Sequence, residues 1–289
     1  MPGFRDYAKE QAKWITVVES PFYPDSLLAA VPIYAPVLER FRELLDQARD
    51  PADLLNLVHA TRETKPRVQL LRVFRKYVSP NTPVEMLKRK RDIPTICKEF
   101  GGKFRDLAAV RKALDMRPFP DEALIAILNE YADRGSKGYT LTEAFFEWFE
   151  MKLGEEFDIV GPVRAGPDLN LHDLLPDYPK DRRPVDFVIT GKGKKEPLVI
   201  GLGRYDSDRG GAQEDDRTSG YRDLVSELLR YSETKKYRLK LLFVNDGPGL
   251  LLGSMWKDYC EIEERGRGRV IVATLKMLEH RLTPAWIRS

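Results

Sequence analysis

The stretch Pro184-Val185-Asp186-Phe187-Val188-Ile189 is followed, fifteen residues after its aspartate, by Gly201-Leu202-Gly203-Arg204-Tyr205-Asp206-Ser207-Asp208-Arg209-Gly210-Gly211-Ala212-Gln213-Glu214-Asp215-Asp216-Arg217. The first piece is β-branched and aromatic apart from one acid, which predicts a buried strand carrying a single inward aspartate. Across a Gly191-Lys192-Gly193-Lys194 turn, Pro197 to Leu202 predicts a second buried strand, and it runs straight into a dense succession of acids and arginines. A carboxylate on one strand beside a loop of carboxylates and guanidiniums is one way to hold a divalent metal against a phosphate.

Working outward, Leu141 to Leu153 predicts a helix capped by Thr140 or Thr142, and Phe157-Asp158-Ile159-Val160 a short strand. Tyr221, Leu224, Val225, Leu228 and Leu229 recur at helical spacing within Thr218 to Glu233. A strand at Leu239 to Val244, a Gly247-Pro248-Gly249 turn, a helix at Ser254 to Arg265 and a strand at Arg269 to Leu275 complete the order. The expected fold class is α/β (α+β), a mixed sheet flanked by helices and preceded by a mostly helical region. In that earlier region Tyr34 to Leu45 has helical periodicity, and Thr82 with Pro83 reads as a helix start. Asp133 to Gly138, with two glycines, is the best linker, which sets expected domains at 1–134 and 135–289.

Charge is segregated between these parts. Thr61 to Arg117 holds sixteen Lys or Arg against six acids, a local net of +10, so the small overall charge of +3 leaves −7 elsewhere. A polyanion-binding part beside an acidic, metal-binding part would show this pattern, as would a merely solvated basic helical surface. Leu70, Leu71, Val73 and Phe74 interleave with Arg72, Arg75 and Lys76, so one face is apolar and the other cationic. Two distant cysteines, Cys97 and Cys260, predict reduced, packed thiols. His59, His172 and His280 have no metal-ligand spacing, which argues against histidine-centred hydrolysis. With no long apolar run and no secretory leader, the chain reads as soluble and cytoplasmic, with no membrane partner.

The order of elements, with Pro184-Val185-Asp186 on one strand and a functional strand about fifteen residues later, resembles the PD-(D/E)XK nuclease fold, specifically type II restriction endonucleases, over roughly residues 139–275. In that family an aspartate is followed by (Asp/Glu)-x-Lys; the acids hold magnesium and the lysine helps activate the attacking water. Asp186 matches the first position, whereas the register expected to carry the second acid and the lysine reads Gly201-Leu202-Gly203. Three readings of this departure stand together. The groups have migrated, with Asp206, Asp208 or Glu214 as second carboxylate and Glu147 as a further ligand; the site is inactive; or the glycines permit close approach of a backbone or ligand.

The resemblance implies a magnesium-dependent endonuclease that is a homodimer on palindromic double-stranded DNA. Asp186 with Asp206 and Glu147 would supply metal ligands, and Arg204 or Arg209 would neutralise developing phosphate charge. Arg209 and Gln213 carry the bidentate groups that read base edges, with Arg217 close by in sequence, while Lys88, Arg89, Lys90 and Arg91 would lie on phosphates. Arg209, Asp215, Asp216 and Arg217 read equally well as a salt-bridge cluster capping the next helix. A DNA-binding protein that does not cleave and a structure-selective nuclease are the alternative readings.

Overall fold

A computed structural model describes residues 2–164, 166–167, 169–180, 182–207, 212–235 and 237–289, with the side chains of 131–137 and 212–217 outside the description. The chain divides into two compact units: residues 20–133, and residues 134–289 together with the first nineteen.

The unit formed by 20–133 is helical. Its elements are α1 (Asp25–Gln47), α2 (Pro51–Ala60), α3 (Thr64–Tyr77), α4 (Val84–Leu87), α5 (Ile93–Phe100), α6 (Leu107–Asp115) and the first part of α7 (Glu122–Leu153). Along α1 the buried positions Ala30, Tyr34, Leu38, Phe41 and Leu45 recur every three or four residues, and they meet the stripe Leu70, Leu71, Val73 and Phe74 of α3 in one core. Each such side chain removed from water contributes about 1.5–3 kcal/mol. Caps fix the helix starts: Asp50 accepts from Asp53 N at 2.8 Å, Asp106 from Ala109 N at 2.9 Å and Asp121 from Leu124 N at 3.2 Å. Thr82 does not cap the helix after it; its hydroxyl instead pairs with Ser79 Oγ at 2.6 Å, and α4 starts after Pro83.

The other unit is built on a five-stranded sheet. Its strands are β1 (Phe157–Val160), β2 (Phe187–Gly191), β3 (Pro197–Tyr205), β4 (Lys240–Asp246) and β5 (Val270–Ala273), in that spatial order. β2 runs antiparallel to both β1 and β3, and β3, β4 and β5 run parallel. Helix α8 (Ala212–Lys235) makes the crossover from β3 to β4, and α9 (Met255–Arg265) that from β4 to β5. Phe145 and Phe146 of α7 meet Phe187 on one face, while Tyr221 of α8 meets Phe243 at 4.8 Å between ring centroids on the other. Interior β4 is buried at all seven positions, which is why Leu241 to Val244 run continuously apolar instead of alternating. No described helix is long and apolar enough to cross a membrane.

Five expectations need correction. Asp133 to Gly138 is not an interrupted link, since α7 continues through it; two helical glycines cost about 1 kcal/mol each, and longer flanking turns outweigh that. Thr142 consequently lies inside the helix and bonds back to Gly138 O at 3.1 Å instead of capping. Met1–Glu19 belong with the sheet unit, to which Thr16 N is tied through Asp246 Oδ1 at 2.7 Å and Val18 N through the Tyr205 hydroxyl at 2.8 Å. Finally, Pro184–Val185 leave the main sheet to pair with Leu169–Asn170, and α8 begins at Ala212, earlier than Thr218.

Candidate active site

Asp186 lies at the junction where the chain passes from the Pro184–Val185 pairing into β2. Its backbone N–H donates to Gly201 O at 3.0 Å, and its carboxylate accepts from Gly203 N through Oδ2 at 2.8 Å. A half-buried carboxylate held by a backbone N–H has a fixed direction, which a metal or phosphate site requires.

The direction of β3 side chains decides what accompanies it. A Cβ built at Gly201 would sit 1.9–2.4 Å from three ring atoms of Phe187, and one at Gly203 would point at Thr142 Oγ1, 3.8 Å away. Both glycines therefore face α7. The alternating positions Leu202 and Arg204 face the α8 and α9 side, where Tyr221 feels the charges of Asp186, Arg204 and Asp206 together. Leu202 and Arg204 therefore share the Asp186 side of the sheet, while both glycines lie on the side packed by Phe187 and Thr142.

Arg204 Nε donates to Asp206 Oδ1 at 2.6 Å. Burial opposes the Arg204 charge, but Asp206 outweighs it and holds the guanidinium above its ordinary pKa. Asp206 itself is only 3 % exposed. Its backbone is clasped, with its N–H donating to Asp246 O at 2.8 Å and its carbonyl accepting from Gly249 N at 2.8 Å. Gly247 makes the clasp possible: its φ of 107° and the 2.3 Å between a built Cβ and Asp206 O leave room for glycine alone. Burial raises the Tyr221 phenol to about 12, with Asp186 and Asp206 adding to the shift and Arg204 opposing it.

Two residues of this face carry no signal of it in the sequence. Tyr221 stands there as one position of an apolar stripe. Asn245 stands opposite Arg204 in the β3–β4 register, is fully buried, and neither end of its amide has a hydrogen-bond partner among the described residues. Its neighbour Asp246 is committed to structure, accepting from Thr16, Gly247 and Leu275 N–H groups at 2.7, 2.7 and 2.9 Å.

Other expected site residues are placed as follows. Glu147 is exposed on α7, between the buried Phe145, Phe146 and Phe149 of the same helix. Asp208 and Arg209 lie outside the described residues, as do the side chains of Gln213, Glu214, Asp215, Asp216 and Arg217, whose backbones form the start of α8. Lys88, Arg89, Lys90 and Arg91 are exposed; Lys88 pairs with Glu85 at 2.7 Å, and Arg89 and Arg91 share Asp92 at 3.9 and 3.4 Å. Among the described residues no three His, Cys, Asp or Glu side chains come together to hold a metal ion. Magnesium asks for less, one or two carboxylates with waters and a substrate phosphate, and Asp186 fits as one of them. Comparison with family models, curated proteins and solved structures finds no match.

Proposed function

We propose that this chain is a magnesium-dependent endodeoxyribonuclease of the type II restriction class, hydrolysing phosphodiester bonds of double-stranded DNA at a short specific site as a homodimer. The observation that carries this reading is Asp186 pinned against β3 in a sheet of three antiparallel strands followed by a parallel crossover, with a helix before the sheet and α8 in the crossover. Asp186 would hold the magnesium, together with Asp206 or one of Asp208 and Glu214. When bound, the ion supplies charge to polarise the phosphoryl oxygen and to acidify a water. Arg204 supplies a planar donor fork towards the phosphate side, held in place by Asp206.

One observation favours a second reading, a DNA-binding protein that does not cleave: Leu202 and Arg204 occupy the face where the resembled family carries an acid and a lysine. Purified protein incubated with phage DNA and magnesium separates the two. Discrete bands support the restriction endonuclease, an intact but retarded substrate supports the binder, and cleavage without sequence preference supports a structure-selective nuclease. In the first case Asp186→Asn should retain fold and DNA binding and lose at least a hundredfold in cleavage; unaltered cleavage by that variant would put the active site elsewhere.

A further inference from the structure

The helical unit carries a notch of about 280 Å³ whose lining includes Arg72, Arg75 and Lys76 of α3, Val84 and Glu85 of α4, and Leu128 of α7. That volume accommodates a tetrahedral phosphate group with its flanking ester oxygens.

Its lining is mainly cationic. Among the described residues three cations line it beside one acid, Glu85, which Lys88 Nζ holds at 2.7 Å. Arg75 and Lys76 have no ion-pair partner among the described residues, and the Arg75 Nε–H is buried without any hydrogen bond. A buried guanidinium donor left unmatched is unfavourable and calls for an acceptor. Phosphate oxygens match the planar fork of arginine two at a time, which an isolated water does not. The floor explains the geometry: Val73 and Phe74 are driven into the core, so the intervening turn of α3 presents its cations on the opposite side.

We propose that this notch is a phosphate-binding site that takes one backbone phosphate of DNA. Its DNA assignment rests on the function proposed above, whereas its affinity for phosphate does not. It is distinct from the exposed run Lys88 to Arg91, where three of four cations already have acidic partners.

The test has two arms. In the first, fluorescence anisotropy measures duplex DNA binding across salt concentrations for wild type, for the double variant Arg75→Gln/Lys76→Gln and for Arg75→Lys. Loss of one neutralised phosphate should reduce the slope of log affinity against log salt by about 0.9, with about a tenfold loss of affinity at moderate salt. Arg75→Lys should keep the slope while losing affinity, because the charge remains and the fork does not. In the second arm, inorganic phosphate at constant ionic strength should raise the melting temperature of wild type and not of the double variant. Melting without phosphate checks that the double variant folds. Wild type that binds DNA with a slope unchanged in the double variant overturns the notch and leaves the DNA reading standing. Wild type that fails to bind DNA yet is stabilised by phosphate through Arg75 supports the site and removes DNA as its ligand. Failure of both arms overturns both.

Discussion

Replacing Gly201 by alanine tests which face of β3 carries chemistry. The new methyl would lie 1.9 Å from Phe187 Cε2, 2.1 Å from Cζ and 2.4 Å from Cδ2. Phe187 is 1 % exposed and its ring centroid is 4.8 Å from that of Phe145, so the ring has nowhere to retreat without displacing α7. Overpacking of this kind costs about 3 kcal/mol. For a unit of about 175 residues, that lowers the melting temperature by roughly 6–12 °C. Gly203→Ala meets only Thr142 Oγ1 at 3.8 Å, an ordinary contact, and should change stability by about 0.5 kcal/mol or less. Differential scanning calorimetry of both variants, with urea titration for the free energies, gives the comparison directly. Phe187→Leu combined with Gly201→Ala should recover about 1 kcal/mol relative to the sum of the single changes, because the two sites touch. Should Gly201→Ala melt within 2 °C or so of wild type, the assignment of the glycines to the packing face is wrong. Gly201 and Gly203 would then belong on the Asp186 side of β3.

Other perturbations have defined outcomes. Asp206→Ala should destabilise the magnesium-free protein by about 2–3 kcal/mol in urea titration, since it strips a buried pair from Arg204; a carboxylate kept for metal alone would leave that stability unchanged. Alanine at Lys88, Arg89, Lys90 and Arg91 together should flatten the salt slope of DNA binding by about 2, not by the 3–4 expected of four unpaired cations, with base preference retained. Burial lowers the Lys240 pKa to about 8, so from there to its unfolded value near 10.4 the unfolded chain binds more protons and Lys240 makes stability rise with pH. The measurement is the difference in urea stability between wild type and Lys240→Met across that window; a difference that stays flat would show that the buried lysine keeps its ordinary pKa.

What sequence made legible follows from period and burial. Strand β4 is buried throughout and α8 has a clear apolar stripe, so the order helix, strands, helix, strand could be read directly. The register around Asp186 could not, because a glycine carries no side chain to reveal its face, and only the Phe187 ring against Gly201 settles which way β3 points. The first nineteen residues look like the start of the helical region, yet their place is fixed by Asp246 and Tyr205, more than 180 residues away. Asn245 is hidden for a related reason, being one of two polar residues at the end of an apolar strand, and its position opposite Arg204 exists only once β3 and β4 pair.

The resulting face is rich in donors and short of proton acceptors. A lysine in the Arg204 position would give up its proton when burial lowered its pKa, and so could assist an attacking water. Arg204 cannot, since a guanidinium stays charged in proteins and Asp206 raises its pKa further. Tyr221, raised to about 12 chiefly by burial, is likewise a donor at neutral pH. Charge developing on a phosphate would therefore meet two fixed donors, while the proton of an attacking water has to pass to a carboxylate or to the phosphate itself. Of the described carboxylates on this face, Asp206 is engaged by Arg204 and Asp186 is oriented by Gly203, so on the proposed function Asp186 would be the acceptor nearest to hand. That division of labour makes Arg204 the residue on which cleavage and mere binding diverge: a binder needs its positive charge, and a nuclease needs in addition an acceptor that arginine cannot provide.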